Sequence, residues 1–191
     1  MKGATSNFFV TDEMIPRAVD TKVFHAGGVG LMDAMDKGQT AVVMKAAKAN
    51  GAATTVDVFA GSPKDLPAIA RVLPYTDYFM PSIEEAQALC GLTDHGDTAK
   101  FFLDMGVTAC VLTLGGDGAY YHDRHGAKFH VPAYDITVKC TCGCGDAFNA
   151  GFATALVHGF DMETAVRFAQ ATSALNATGL GSQAGVKDFQ H

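Results

Sequence analysis

The 191-residue chain carries 14 Lys and Arg against 20 Asp and Glu, a net charge of −6, and 48% of its residues are apolar. That apolar share excludes a disordered chain, and an acidic balance without any Lys/Arg run excludes nucleic-acid binding through a basic face. No apolar run reaches membrane-spanning length and the N-terminus lacks a signal-peptide profile, so the expectation is one domain with a real core and no membrane partner.

Residues 1–20 are weakly patterned, with Asn7-Phe8-Phe9-Val10 read as a short strand. Lys22 to Ala26 is a second strand, broken by the loop Gly27-Gly28-Val29-Gly30. Thr40 to Ala49 has helical spacing and stops at Asn50-Gly51. Ala53 to Phe59 is a β-branched run of the kind found in buried parallel strands. Leu66 to Leu73 is a short helix, and Asp77 to Met80 a short strand. Ser82 to Leu89 is a helix with Ser82 as N-cap and Glu85 at N3, a capping box. Ala99 to Met105 is helical, Thr108 to Thr113 is a strand, and Leu114 to Gly118 is a turn. Ala119–His122 and Lys128–Val131 form a hairpin. A β-branched run then ends at Val138. Helices follow to His158 and from Met162 to Asn176. Strands alternating with helices predict an α/β fold, a parallel sheet with helices on both faces. In such sheets ligands bind beyond the carboxyl ends of the strands. The loops at Gly27–Gly30, Asp77–Glu85, Thr113–Gly118 and Cys140–Asp146 all follow predicted strands, and should gather along one edge.

The stretch Lys139-Cys140-Thr141-Cys142-Gly143-Cys144-Gly145-Asp146 opens the first of those last two helices. A glycine-bearing loop at a helix start points free backbone N–H groups at one spot. The helix dipole adds partial positive charge there, which suits phosphate. Asp146 at that mouth has two readings. It accepts a proton from an attacking hydroxyl, or it caps the helix.

Three of the five cysteines crowd into this loop. Alternate residues in a tight loop are poor disulfide partners, which points to reduced thiols and a cytoplasmic setting. A metal or redox role for the trio has no second Cys pair or His pair at zinc spacing to support it. Gly28-Val29-Gly30 lacks the third glycine of a dinucleotide fingerprint, since position 33 is Asp33. Glu85 has both a capping-box and a metal reading. His25, His122, His125 and His130 read as surface or packing residues, and Phe148, Phe152 and Phe168 as core.

Cys140-Thr141-Cys142-Gly143-Cys144-Gly145-Asp146 resembles the Asp-Thr-x-Gly-Ala-Gly-Asp pattern of the ribokinase-like (PfkB) carbohydrate kinases, and the match continues through Gly151. Thr113-Leu114-Gly115-Gly116-Asp117-Gly118 resembles their Thr-Leu-Gly-x-x-Gly nucleotide turn. Pro81-Ser82-Ile83-Glu84-Glu85 resembles their Pro-Asn-x-x-Glu element. The resemblance covers residues 20–185. It implies a three-layer parallel-sheet sandwich in which 1–191 is a single partial domain, the nucleotide-binding and catalytic half, lacking the N-terminal strands and lid. The chain is thus read as a fragment, a truncated product or half of a split enzyme. Its exposed strand edge favours self-association into a homo-oligomer.

The resemblance further implies phosphoryl transfer from ATP to a hydroxyl of a sugar or sugar-like alcohol. Asp146 would be the base, and the N–H groups of Gly143, Cys144 and Gly145 would hold the transferred phosphoryl group. Ser82, Thr113, Gly115, Gly116, Gly118 and Gln170 would bind nucleotide, and Glu85 would organise Mg²⁺ through water. The family's first Asp is Cys140 here. A thiol is a poor ligand for a hard cation, which places the family's K⁺ site in doubt, although carbonyls near Cys142, Asn176, Gly179 and Gly181 remain. The family's Ala is Cys144 and its Asn is Ser82. Two rival readings follow: a catalytically silent nucleotide-binding module, and a Cys-based metal or redox protein.

Overall fold

The computed structural model describes residues 3–186. In chain order the strands are β1 (Val23–Val29), β2 (Ala53–Val58), β3 (Tyr78–Phe79), β4 (Ala109–Thr113), β5 (Ala119–Asp123) and β6 (Lys128–Val131). The helices are α1 (Ile15–Ala18), α2 (Gln39–Ala49), α3 (Leu66–Ile69), α4 (Ile83–Cys90), α5 (His95–Asp104), α6 (Cys144–Val157) and α7 (Met162–Ala177). The strands form one sheet in sequence order. The first four are parallel, with Val23 opposite Ala53, Thr55 opposite Tyr78, and Tyr78 opposite Ala109. The turn 124–127 joins β5 to β6, a connection only antiparallel neighbours can use, so the sheet is mixed. This is the α/β fold the alternation predicts.

By internal contact the chain divides into two compact units, one running to Leu112 with Tyr121–Lys128, the other holding Thr113–Tyr120 and everything from Phe129. In the first unit β2 is a β-branched run because both of its faces are covered. Thr54, Thr55, Val56 and Val58 are all buried. The buried threonines of β2 are satisfied: the Thr54 hydroxyl donates to the Tyr75 carbonyl at 2.7 Å, and the Thr55 hydroxyl pairs with His25 Nδ1 at 2.8 Å. From α2, Val43, Met44 and Ala47 are buried, and Val43 and Ala47 pack with Val19 and Ala52. Phe102 of α5 stacks at a tilt on Phe79 of β3, with ring centroids 4.7 Å apart.

Three expectations change in this unit. Asn7–Val10 is no strand: Gly3–Asn7 is a 3-10 turn, and the Val10 N–H goes to the Gln39 side chain at 2.9 Å instead of to a neighbouring strand. Gly27 and Gly28 do not break β1. The strand continues to Val29 because a bulge between Ala26 and Val29 absorbs the irregularity, with Gly28 at φ 70°. The helix expected over Leu66–Leu73 holds only to Ile69 and gives way to a 3-10 turn at Leu73–Tyr75, where Pro74 follows.

The second unit is built on the pair α6 and α7. Gly151 makes their contact close: a Cβ there would stand 2.6 Å from the Thr172 hydroxyl and 3.0 Å from the Ala169 Cα. Phe148, Phe152 and Ala155 of α6 and Ala165, Val166 and Ala169 of α7 are buried. The β-branched run ending at Val138, expected as the strand before the cysteine loop, forms none. Pro132 has no N–H to give a ladder, and Tyr134 and Val138 are exposed.

Candidate functional site

The candidate residues of the second unit gather around the start of α6. Segment 139–143 crosses the C-terminal end of α7 and is tied to it by backbone bonds. Lys139 N–H donates to the Ala177 carbonyl at 2.8 Å and Cys140 N–H to the same oxygen at 3.3 Å. Asn176, fully buried, donates its Nδ2 to the Cys142 carbonyl at 2.9 Å and to the Cys144 sulfur at 3.5 Å. Gly143 is the N-cap of α6, in the left-handed region at φ 72°. Only glycine fits, because a Cβ would lie 2.6 Å from that of Ser182.

This turn leaves the first amides of α6 directed out of the helix end. The Cys144 N–H is taken by the Thr141 carbonyl at 3.2 Å. Among the described residues no backbone carbonyl takes the N–H of Gly143 or Gly145. Asp146 lies in the first turn and is exposed, and no side chain caps the helix. The capping alternative for Asp146 is therefore not what its position serves.

The second wall is the glycine turn. Leu114 N–H donates to the Gly118 carbonyl at 2.8 Å, and Gly118 N–H to the Gly115 carbonyl at 3.2 Å. His130 Nε2 stands 2.6 Å from the Asp117 carbonyl. Gly118 adopts φ 99° and ψ −130°, and a Cβ there would run into the Val131 carbonyl. A recess of about 80 Å³ brings Thr113, Gly115 and Gly118 of this turn together with Cys144, Gly145, Phe148 and Gln170. It adjoins a cavity of about 480 Å³ lined by Gly115, Gly116, Tyr134, Asp135, Ile136, Thr141, Gln170 and Ser173, among others. Gly115, Cys144, Gln170 and Ser173 line both.

Sequence reasoning placed Thr113, Gly115, Gly116, Gly118, Cys144, Gly145 and Gln170 at the site, and all line these two spaces. It missed Ser173, Ala174 and Ala177, although their spacing from Gln170 puts all four on one face of α7. It also missed Tyr134–Ile136, whose irregular backbone carries no periodic signal. Ser82 and Glu85 lie in the first unit and serve each other. Ser82 N–H and Oγ both donate to Glu85 Oε2, at 3.1 and 2.9 Å, in the expected capping box.

The thiols are not equivalent. Backbone N–H groups of Gly181 and then Cys142 hold the Cys140 thiol below its ordinary range. The bond to the Cys140 sulfur pushes Cys142 up. Among the described residues no group of three His, Cys, Asp or Glu has the arrangement of a metal site. Two of the groups offered for K⁺ are poorly suited to a cation or already engaged. Cys140 supplies a thiol, and the Cys142 carbonyl faces an amide donor from Asn176.

The family model for pfkB family carbohydrate kinases matches residues 2–188. A ribokinase from Haemophilus influenzae is 30% identical over 125 residues, which are 63% of this chain and 40% of that protein. A candidate ribokinase II from E. coli in complex with ATP and Mg²⁺ superposes with a TM-score of 0.75 at 27% identity, covering 91% of this chain and 57% of that one. An aminoimidazole riboside kinase from Salmonella enterica, complexed with aminoimidazole riboside and an ATP analog, gives 0.81 at 25% identity, covering 93% and 63%. The chain spans 40% of the length of the first and 57% and 63% of the other two. No helix among the described residues is long and apolar enough to cross a membrane.

Proposed function

We propose, since this chain belongs to the pfkB family of carbohydrate kinases, that it is the nucleotide-binding and catalytic part of a single kinase domain. The reaction is transfer of the γ-phosphoryl group of ATP to a hydroxyl of a sugar or sugar-like alcohol. The observation that carries this reading is the small recess in which Gly145, at the mouth of α6, shares walls with Thr113, Gly115, Gly118 and Gln170. Amides at a helix start meet a glycine turn there, a pairing suited to polyphosphate. The larger adjoining cavity, with Tyr134, Gln170 and Ser173, takes the base and ribose.

Gly143 and Gly145 offer N–H groups that no backbone carbonyl among the described residues takes, and a phosphoryl oxygen competes with Thr141 for that of Cys144. Such donors are worth about 3 kcal/mol each when aimed at developing charge. Asp146 accepts the proton of the attacking hydroxyl as its oxygen bonds phosphorus and ADP departs. Mg²⁺ bound with the nucleotide would neutralise phosphate charge, and Glu85 is the residue proposed to organise such an ion through water. Free thiols favour a cytoplasmic setting. The outer edge of β1 pairs with no other strand among the described residues, which favours a homo-oligomer.

Calorimetry with ATP–Mg²⁺ and a coupled ADP-release assay over a panel of sugars and ribosides test the proposal. Binding with turnover on one acceptor supports it, and absence of ATP binding ends it. Cys140 in place of the family's Asp favours the second reading, a silent nucleotide-binding module. Binding without turnover on any acceptor selects that one.

A further inference from the structure

We propose that Cys140 and Cys142 form an oxidation-sensitive pair that closes a disulfide across the mouth of α6 and turns phosphate binding off. The switch rests on the kinase reading above; the pair itself does not. Their spacing argues against a standing disulfide, but the bend of the loop brings the two together. The Cys142 N–H donates to the Cys140 sulfur at 3.4 Å, so that sulfur already lies against the Cys142 backbone. Residues two apart span at most about 7 Å of chain, and a bend brings that inside the roughly 4.4–6.8 Å a disulfide needs.

The third thiol of the loop is turned elsewhere. The Cys144 sulfur meets the Cys140 carbonyl at 3.9 Å and receives the Asn176 amide at 3.5 Å. Cys110 is buried, whereas Cys142 is exposed and open to a small oxidant. Residues 140–142 lie in neither helix nor strand, so closure breaks no regular element.

Hydrogen peroxide is the oxidant. The Cys140 thiolate attacks one peroxide oxygen and hydroxide leaves, giving the sulfenic acid. The Cys142 thiol then attacks that sulfur, its proton joins the departing oxygen, and water leaves as the S–S bond forms. Two electrons pass from the thiol pair to the peroxide.

The reduced Cys140 sulfur accepts N–H groups from Cys142 and Gly181. Closure takes that sulfur away from both and draws Cys142 toward it. The Cys142 carbonyl then leaves Asn176 Nδ2, and Gly143, wedged against Ser182, loses the position that aims the next amides.

The test treats the protein with hydrogen peroxide, quenches it, and maps the loop peptide by mass spectrometry alongside ATP–Mg²⁺ calorimetry. The expected result is a loop peptide lighter by two hydrogens, restored by dithiothreitol. The loss vanishes in Cys140→Ser and Cys142→Ser and persists in Cys144→Ser. ATP affinity should fall by about tenfold or more on oxidation and return on reduction. No mass loss, over-oxidation to sulfinic acid alone, or a disulfide that survives Cys140→Ser overturns the pair. A mapped disulfide with unchanged ATP affinity overturns the switch. If the reduced protein binds no ATP, the kinase reading and the switch fail together, while the mass map still decides the pair.

Discussion

Asn176 holds the Cys142 carbonyl at 2.9 Å from the fully buried end of α7, so the loop before α6 is clamped by a side chain from the helix after it. Its Nδ2 is used, and its buried Oδ1 has no partner among the described residues. Asn176→Leu removes the clamp and the orphaned oxygen together. Loss of a buried hydrogen bond costs about 1 kcal/mol, partly offset here by the removed orphan. The expected thermal midpoint therefore falls by only about 2–4 °C. Nucleotide affinity, measured by calorimetry, should fall further than stability does, because the clamp sets where the amides point.

Gly118 and Gly116 sit two residues apart and should respond oppositely to a methyl group. At Gly118 the backbone is in a region that only glycine visits, and a Cβ would stand 2.7 Å from the Ala133 nitrogen. Gly118→Ala should cost about 3 kcal/mol or leave the protein insoluble. At Gly116 nothing lies within 4 Å of a built Cβ. Gly116→Ala should leave the melting curve near that of the parent while weakening ATP binding. Equal melting losses in both variants would refute the contrast.

Asp77 ties β2, the approach to β3 and α2 together. Its Oδ1 takes Lys48 Nζ at 2.7 Å, and its Oδ2 takes the Thr54 N–H at 2.9 Å and stands 2.9 Å from the Thr54 hydroxyl, whose one proton it shares with the Tyr75 carbonyl. Burial alone would raise its pKa, but the bonds from Lys48 and Thr54 outweigh burial and hold it below the ordinary aspartate value. A folded pKa below the unfolded one, near ~3.9, stabilises fully above that value. The contribution is lost as pH falls through the folded pKa. Melting scans from about pH 6 downward should show the parent losing stability below about pH 4 more steeply than Asp77→Asn. Parallel curves would show that these bonds contribute little. At neutral pH, Asp77→Ala should cost about 1–2 kcal/mol, since the pair is only half-buried.

Asp146 is exposed and lies in the first turn of α6, next to Gly145 of the recess. Asp146→Asn should reduce kcat by about a hundredfold or more, the contribution of a positioned base. ATP affinity and melting temperature should stay near those of the parent. Retained turnover would remove Asp146 from the chemistry.

The glycines and the β-branched run made most of the fold legible. Thr54 to Val58 reads as a buried strand because it is one, and Ser82 with Glu85 reads as a capping box because the spacing alone fixes those bonds. The turn at Gly115–Gly118 and the loop at Cys142–Gly145 were legible for a similar reason, since tight backbone approaches demand glycine locally. Misreadings came where a distant group decided. Val10 looks like strand, but Gln39, far along the chain, takes its backbone. Gly27 and Gly28 look like a break, but the partner strand tolerates a bulge. The residues lining the larger cavity at Tyr134–Ile136 follow no period, so nothing in their order announces them.

The close approach at Gly151 has a practical corollary for anyone re-engineering this protein. Two turns behind the amides, it acts as a bearing surface. Any side chain inserted there would lever α6 off α7 and swing the amides at its tip. Random libraries confined to the recess would never sample that handle, and libraries spanning the helices would record it as an inactivating position with no contact to any ligand.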